Sequence, residues 1–105
     1  MTAAAADYVR LIRNLYIQLP GTAGRFSRSD RLLAIELHSR QIPLDVVRSA
    51  FLLAAARRLL RNPNIPPLPP IRSLHYFLHV IDEILAQPLP QGYVQYLEHK
   101  LAQHT

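Results

Sequence analysis

The chain has 105 residues, half of them hydrophobic, with nine prolines, three glycines and no cysteine. That length and composition fit one small globular domain and argue against intrinsic disorder. The lack of cysteine excludes disulfides, thiolate catalysis and cysteine-ligated zinc, while the net charge of +5 points towards an anionic partner.

The charge is unevenly spread. Residues 1–74 carry eleven arginines against Asp7, Asp30, Glu36 and Asp45, a net of +7; residues 75–105 carry Lys100 against Asp82, Glu83 and Glu98, a net of −2. This layout favours a polyanion on the first part of the chain. Arginine suits that partner because its planar guanidinium meets a phosphate in two parallel hydrogen bonds. No run of 18 apolar residues is present, so no membrane span or membrane partner is expected. The opening Met1-Thr2-Ala3-Ala4-Ala5-Ala6-Asp7 lacks the basic start and long apolar stretch of a signal peptide, and the expected location is the cytoplasm.

Helix 1 is predicted over about residues 3–18, with Tyr8, Leu11, Ile12, Leu15 and Leu19 on its apolar face. Pro20-Gly21 stops it. Helix 2 is predicted over about 28–40, capped by Ser27 or Ser29, with Asp30 in the first turn where the helix dipole favours a carboxylate. Its buried side is read as Leu32, Leu33, Ile35 and Leu37, with Ala34 leaving room for close packing. Helix 3 is predicted over about 43–61, with Pro43 at its first position. It is apolar over most of its girth, which marks the central helix of the domain. Residues 63–70 are read as a proline-rich strap in polyproline II geometry, Ile65, Leu68 and Ile71 packing inward. Helices 4 and 5 are predicted over about 73–87 and 90–104. Without strand-like alternation or an internal repeat, the chain reads as one all-α domain over 1–105, a compact bundle of four to five helices.

The helical pair from Ser27 to Asn62 carries seven arginines around a proline-marked turn. The second helix looks buried, so contact with phosphates is expected rather than reading of bases. The candidate nucleic-acid-binding residues are Arg25, Arg28, Arg31, Arg40, Arg48, Arg57, Arg58 and Arg61. His75, His79 and Glu83 recur every four residues along helix 4, but the third lies too far up the helix to close one metal site, and packing or solvated histidines are expected. Asp82 and Glu83 are adjacent and diverge by about 100° around the helix, so they do not converge as an acid–base pair. No serine sits in a nucleophile elbow, and Gly21-Thr22-Ala23-Gly24 is too short and lacks the lysine of a phosphate loop. Enzyme activity and a cofactor are therefore not expected. Tyr8, Tyr16, Tyr76, Tyr93 and Tyr96 are read first as edges of the core and second as stacking groups for single-stranded nucleic acid.

The segment from Asp30 to Ala50, followed by Ile71-Arg72-Ser73-Leu74-His75-Tyr76-Phe77, resembles helical domains of bacterial replication-initiation and primosome-loading proteins. Those also combine a helical hairpin with a later helix opening on an isoleucine and an aromatic residue. It is similar, too, to small uncharacterised single-domain bacterial proteins. The resemblance covers the middle half of the chain and departs from the pattern at the turn, where Gln41 stands in place of the expected glycine. It implies a nucleic-acid-binding or accessory role, with DNA and RNA both open. The alternative is a protein-interaction module or homodimeric adaptor that presents an apolar helix face.

Overall fold

The computed structural model describes residues 2–61 and 64–103. Five α-helices follow one another: α1 Ala3–Gln18, α2 Arg28–Ser39, α3 Leu44–Leu59, α4 Leu78–Ala86 and α5 Tyr93–Ala102. A 3-10 turn over Leu74–Phe77 leads directly into α4. Among the described residues no strand forms, and Thr22 and Ile71 make an isolated parallel bridge. The fold is all-α, as the periodicity predicts.

The hydroxyl of Thr2 accepts a hydrogen bond from the Ala5 N–H and so caps α1. The buried stripe of α1 runs through Ala5, Val9, Ile12 and Tyr16, not through the predicted Leu11, which is exposed. Both sets of residues have helical spacing, and the aromatic ring decides between them. Tyr16 meets Phe26, Phe51 and Phe77 edge to face and fills the centre of the core.

A reciprocal capping box opens α2: Ser27 Oγ accepts from the Asp30 N–H at 3.1 Å, and Asp30 Oδ2 accepts from the Ser27 N–H at 2.9 Å. Leu33, Ala34 and Leu37 are buried, whereas Leu32 turns to solvent. The helix ends in a Schellman motif, in which the Gln41 N–H donates to His38 O and the Ile42 N–H to Leu37 O. That closure places Gln41 at φ +60°, the left-handed region where a glycine is expected.

The central helix is α3, which packs against α1, α4, α5 and the 3-10 turn. Val47, Ala50, Phe51 and the run Leu53 to Ala56 are all buried. Pro43 is its N-cap rather than its first helical residue, and Leu60 is its C-cap, so the helix stops before the predicted Arg61. Leu59 and Leu60 are exposed, and a further turn there would gain no burial.

The predicted fourth helix opens as the 3-10 turn. There Ser73 Oγ accepts from the His75 N–H, while the Leu74 N–H is drawn away to Asp30 Oδ1 at 2.8 Å. α5 begins at Tyr93 rather than Pro90, because Gly92 at φ +84° forms its N-cap; the predicted end at His104 lies outside the described residues.

The strap differs most from expectation. Its predicted first residue, Pro63, lies outside the described residues, and Asn64–Pro70 is exposed throughout. Ile71 is buried at 2% exposure, but Ile65 and Leu68 stand 48% and 42% exposed. The strap is held by its carbonyl oxygens, to which Arg61 and Arg58 donate, and not by its apolar side chains.

Candidate polyanion-binding surface

Two chain segments meet to build the surface. The Ile71 N–H donates to Gly21 O at 2.7 Å, and the Ala23 N–H donates to Ile71 O at 2.8 Å. This short pairing lays the end of the strap against the α1–α2 loop. Arg72 and Arg25 consequently line one cleft of about 350 Å³ together with Ala23, Phe26 and Ser27. Gly21 sits at φ +92°, and a Cβ there would stand 3.4 Å from Arg58 Nε, so the Arg58 side chain runs close along the same loop.

Asp30 pins this junction. It is fully buried, yet it touches no arginine in an ion pair. Its carboxylate accepts from the Ser27 and Leu74 N–H groups and from the Ser73 hydroxyl. Burial alone would raise its pKa; the hydrogen bonds from Ser27, Leu74 and Ser73 outweigh burial and hold it below the ordinary carboxylate value. One carboxylate thus ties the start of α2 to the start of the 3-10 turn.

Farther along the strap, Arg58 Nη2 donates to Pro69 O at 2.6 Å, and Arg61 Nη1 donates to Pro66 O at 3.1 Å. The Arg58 guanidinium also lies 5.6 Å from the centre of the Tyr76 ring. Arg57, Arg58, Arg61, Leu68, Tyr76 and His79 line a second cleft of about 220 Å³. A carbonyl oxygen orients a guanidinium without cancelling its charge, so Arg58 and Arg61 keep a full positive charge and spare N–H donors.

Three other arginines meet carboxylates instead. Arg57 forms a two-bond pair with Glu83, Arg48 pairs with Glu98, and Arg40 lies 3.8 Å from Asp82. The hydrogen bond to Glu83 raises the Arg57 pKa, and the same bond lowers that of Glu83. Arg10 pairs with Asp7 on the exterior of α1.

The eight predicted arginines thus fall into three groups. Arg40, Arg48 and Arg57 are each matched by a carboxylate of α4 or α5. Arg58 and Arg61 bind strap carbonyls. Arg25, Arg28 and Arg31 are exposed and make no ion pair among the described residues. Arg72 joins the last group and is the residue that sequence reasoning missed. The only hint of it was its position two residues after the proline run; the pairing of Ile71 with Gly21 and Ala23 is a tertiary contact with no local signature.

The tyrosines also separate. Tyr16 is fully buried, which removes it as a stacking group, and its hydroxyl has no hydrogen-bond partner among the described residues. Tyr8 donates to Ile42 O at 2.7 Å, and burial pushes its pKa up to about 12. Tyr93 and Tyr96 stack on one another, with Lys100 over Tyr96. Tyr76, 39% exposed, stands beside Arg58, which makes no ion pair among the described residues, and shares its cleft with Arg57, which Glu83 neutralises. His75 Nδ1 lies 2.9 Å from Ser73 Oγ, and among the described residues no three His, Cys, Asp or Glu side chains gather as metal ligands. Among the described residues no helix is long and apolar enough to cross a membrane. The chain matches no protein-family model, no curated protein and no solved structure.

Proposed function

We propose that this protein binds nucleic acid through its phosphates, using Arg25, Arg28, Arg31, Arg58, Arg61 and Arg72. The observation that carries this reading is that none of the six has a carboxylate partner among the described residues, although arginines elsewhere in the same domain do. Holding guanidinium groups without a carboxylate partner in one small domain costs electrostatic energy, and a polyanion would relieve it. The contacts are to phosphate, so binding is tolerant of sequence. Arg40, Arg48 and Arg57 are paired with carboxylates and are left out of this set, although Arg57 lines the cleft of Arg58 and Arg61. The resemblance to replication-initiation and primosome-loading domains supports the same class of partner.

The test is fluorescence anisotropy of labelled DNA and RNA across a salt series. Six neutralised phosphates give a slope of log K against log salt of about −4 to −5. Arg25→Ala/Arg72→Ala should weaken binding and flatten that slope, whereas Arg48→Ala should leave both unchanged. An absence of binding at low salt would sink the reading.

A second reading rests on a different observation. Leu59, Leu60 and Tyr96 are exposed, and Leu60 and Tyr96 border a groove of about 330 Å³ between α3 and α5. Under that reading the domain is a homodimer or adaptor, and concentration-dependent sedimentation that a Leu60→Glu substitution abolishes would favour it.

A further inference from the structure

We infer that the nucleic acid this surface takes is single-stranded, lying along the strap with one base against Tyr76; the inference rests on the phosphate-binding reading above. Three observations point to it.

The first is what the fold lacks for a duplex. Sequence-reading proteins place a polar helix or a two-stranded ribbon in a groove. The second helix of the hairpin, α3, is the core of the domain, with Val47, Ala50, Phe51 and Leu53 buried. It has no polar face to insert. The described residues form no ribbon either.

The second is the shape of the basic surface. The arginines follow an extended segment instead of covering a convex face. Arg61 is fixed at Pro66, Arg58 at Pro69, and Arg72 comes directly after the buried Ile71, with Arg25 in the same cleft. Pro66 and Arg72 are six positions apart, a span of at most about 20 Å in an extended chain. A narrow cationic line of that length suits an extended phosphodiester backbone.

The third is the aromatic group on that line. Tyr76 packs one face near the Arg58 guanidinium and remains exposed. Single-strand sites combine a cationic track with aromatic rings on which bases stack, whatever their identity. At about 220 Å³, the cleft beside Tyr76 is smaller than the roughly 300–1,000 Å³ of an enclosed small-molecule site, so it suits one ring or one phosphate. Strap and arginines are already bound to each other before a ligand arrives, which lowers the ordering cost of binding.

The experiment compares labelled oligothymidylate, oligouridylate and a DNA duplex, each of about eight nucleotides or base pairs, a length within the site sizes of single-strand binders. Either single strand should bind more tightly than the duplex, and the two arms distinguish DNA from RNA as the preferred source of the same backbone chemistry. Tyr76→Ala should weaken single-strand binding at least about fivefold, as loss of one stacked base does, while Tyr76→Phe should retain it. Tyr76 also touches Phe77, so the wild-type protein supplies an independent readout: the Tyr76 ring resonances should move upfield when oligothymidylate is added. Duplex binding equal to or tighter than single-strand binding overturns the inference and leaves the phosphate-binding reading standing. So does single-strand binding with an unmoved Tyr76 ring. If none of the three probes binds at low salt, both readings fall together.

Discussion

Two groups of arginines in this domain use the same residue type in opposite ways. Towards α4 and α5, Arg40, Arg48 and Arg57 each meet a carboxylate, and the surface there is close to neutral. Towards the strap and the α1–α2 loop, the arginines meet carbonyl oxygens or solvent, and the carboxylate at that junction, Asp30, is buried and fully occupied by Ser27, Ser73 and Leu74. The first arrangement neutralises charge and welds helices. The second displays charge on a frame that a buried acid keeps in place. Counting arginines along the chain cannot separate the two, because the deciding partners are distant in sequence.

Removing the frame should have the largest effect. Asp30→Ala removes the acceptor half of the capping box from the Ser27 N–H and leaves the Leu74 N–H buried without a partner, a loss of about 3 kcal/mol. Thermal or urea unfolding measures it directly. A change within about 0.5 kcal/mol, the range of ordinary surface substitutions, would mean that Asp30 does not organise the strap side.

Acid should do the same thing progressively. The folded-state pKa of Asp30 is depressed, so its stabilisation is complete above the unfolded value of about 3.9 and is lost as the pH falls through the folded value. Stability of the parent protein should therefore decline below about pH 4, and the decline should be shallower in Asp30→Ala. Parallel pH profiles for the two proteins would assign the acid sensitivity elsewhere.

Tyr16→Phe sharpens the comparison in the other direction. The hydroxyl is buried, lies in the field of Asp30 and has no hydrogen-bond partner among the described residues. Burial and then the Asp30 charge raise its pKa. Deleting it should stabilise the fold by about 1 kcal/mol, since an unsatisfied buried polar group is a net cost. A loss of stability would show that the hydroxyl is engaged after all.

The smallest effect belongs to the neutral side. Arg48 and Glu98 are each roughly half-exposed, and pairs of that kind contribute about 0.5 kcal/mol or less. Arg48→Ala should shift the melting temperature only slightly. A large loss would mean that the α3–α5 side, too, depends on its charges.

Much of this architecture was legible because local chemistry specified it. Ser27 and Asp30 carry a capping-box spacing, and the box forms. The apolar girth of α3 announced a central helix. What could not be read were choices among equal local options. Leu11 and Val9 have equivalent helical spacing, and only packing around Tyr16 selects Val9. Asp30 looked like a helix cap, with no sign of its second partner at Leu74. The candidate surface was legible as arginines and not as a surface, since ion pairs with α4 and α5 removed three of them and a loop pairing added Arg72.

The strap has one more property that follows from its composition. Of the seven residues Asn64–Pro70, four are proline and carry no main-chain N–H. The segment therefore has seven carbonyl acceptors against three main-chain donors, at Asn64, Ile65 and Leu68. It cannot extend a β-sheet edge, which protects an otherwise exposed and greasy stretch from strand-to-strand aggregation. Hydrogen exchange reads it at only those three positions, and the attachment at Pro66 and Pro69 must be followed through the guanidinium protons of Arg61 and Arg58.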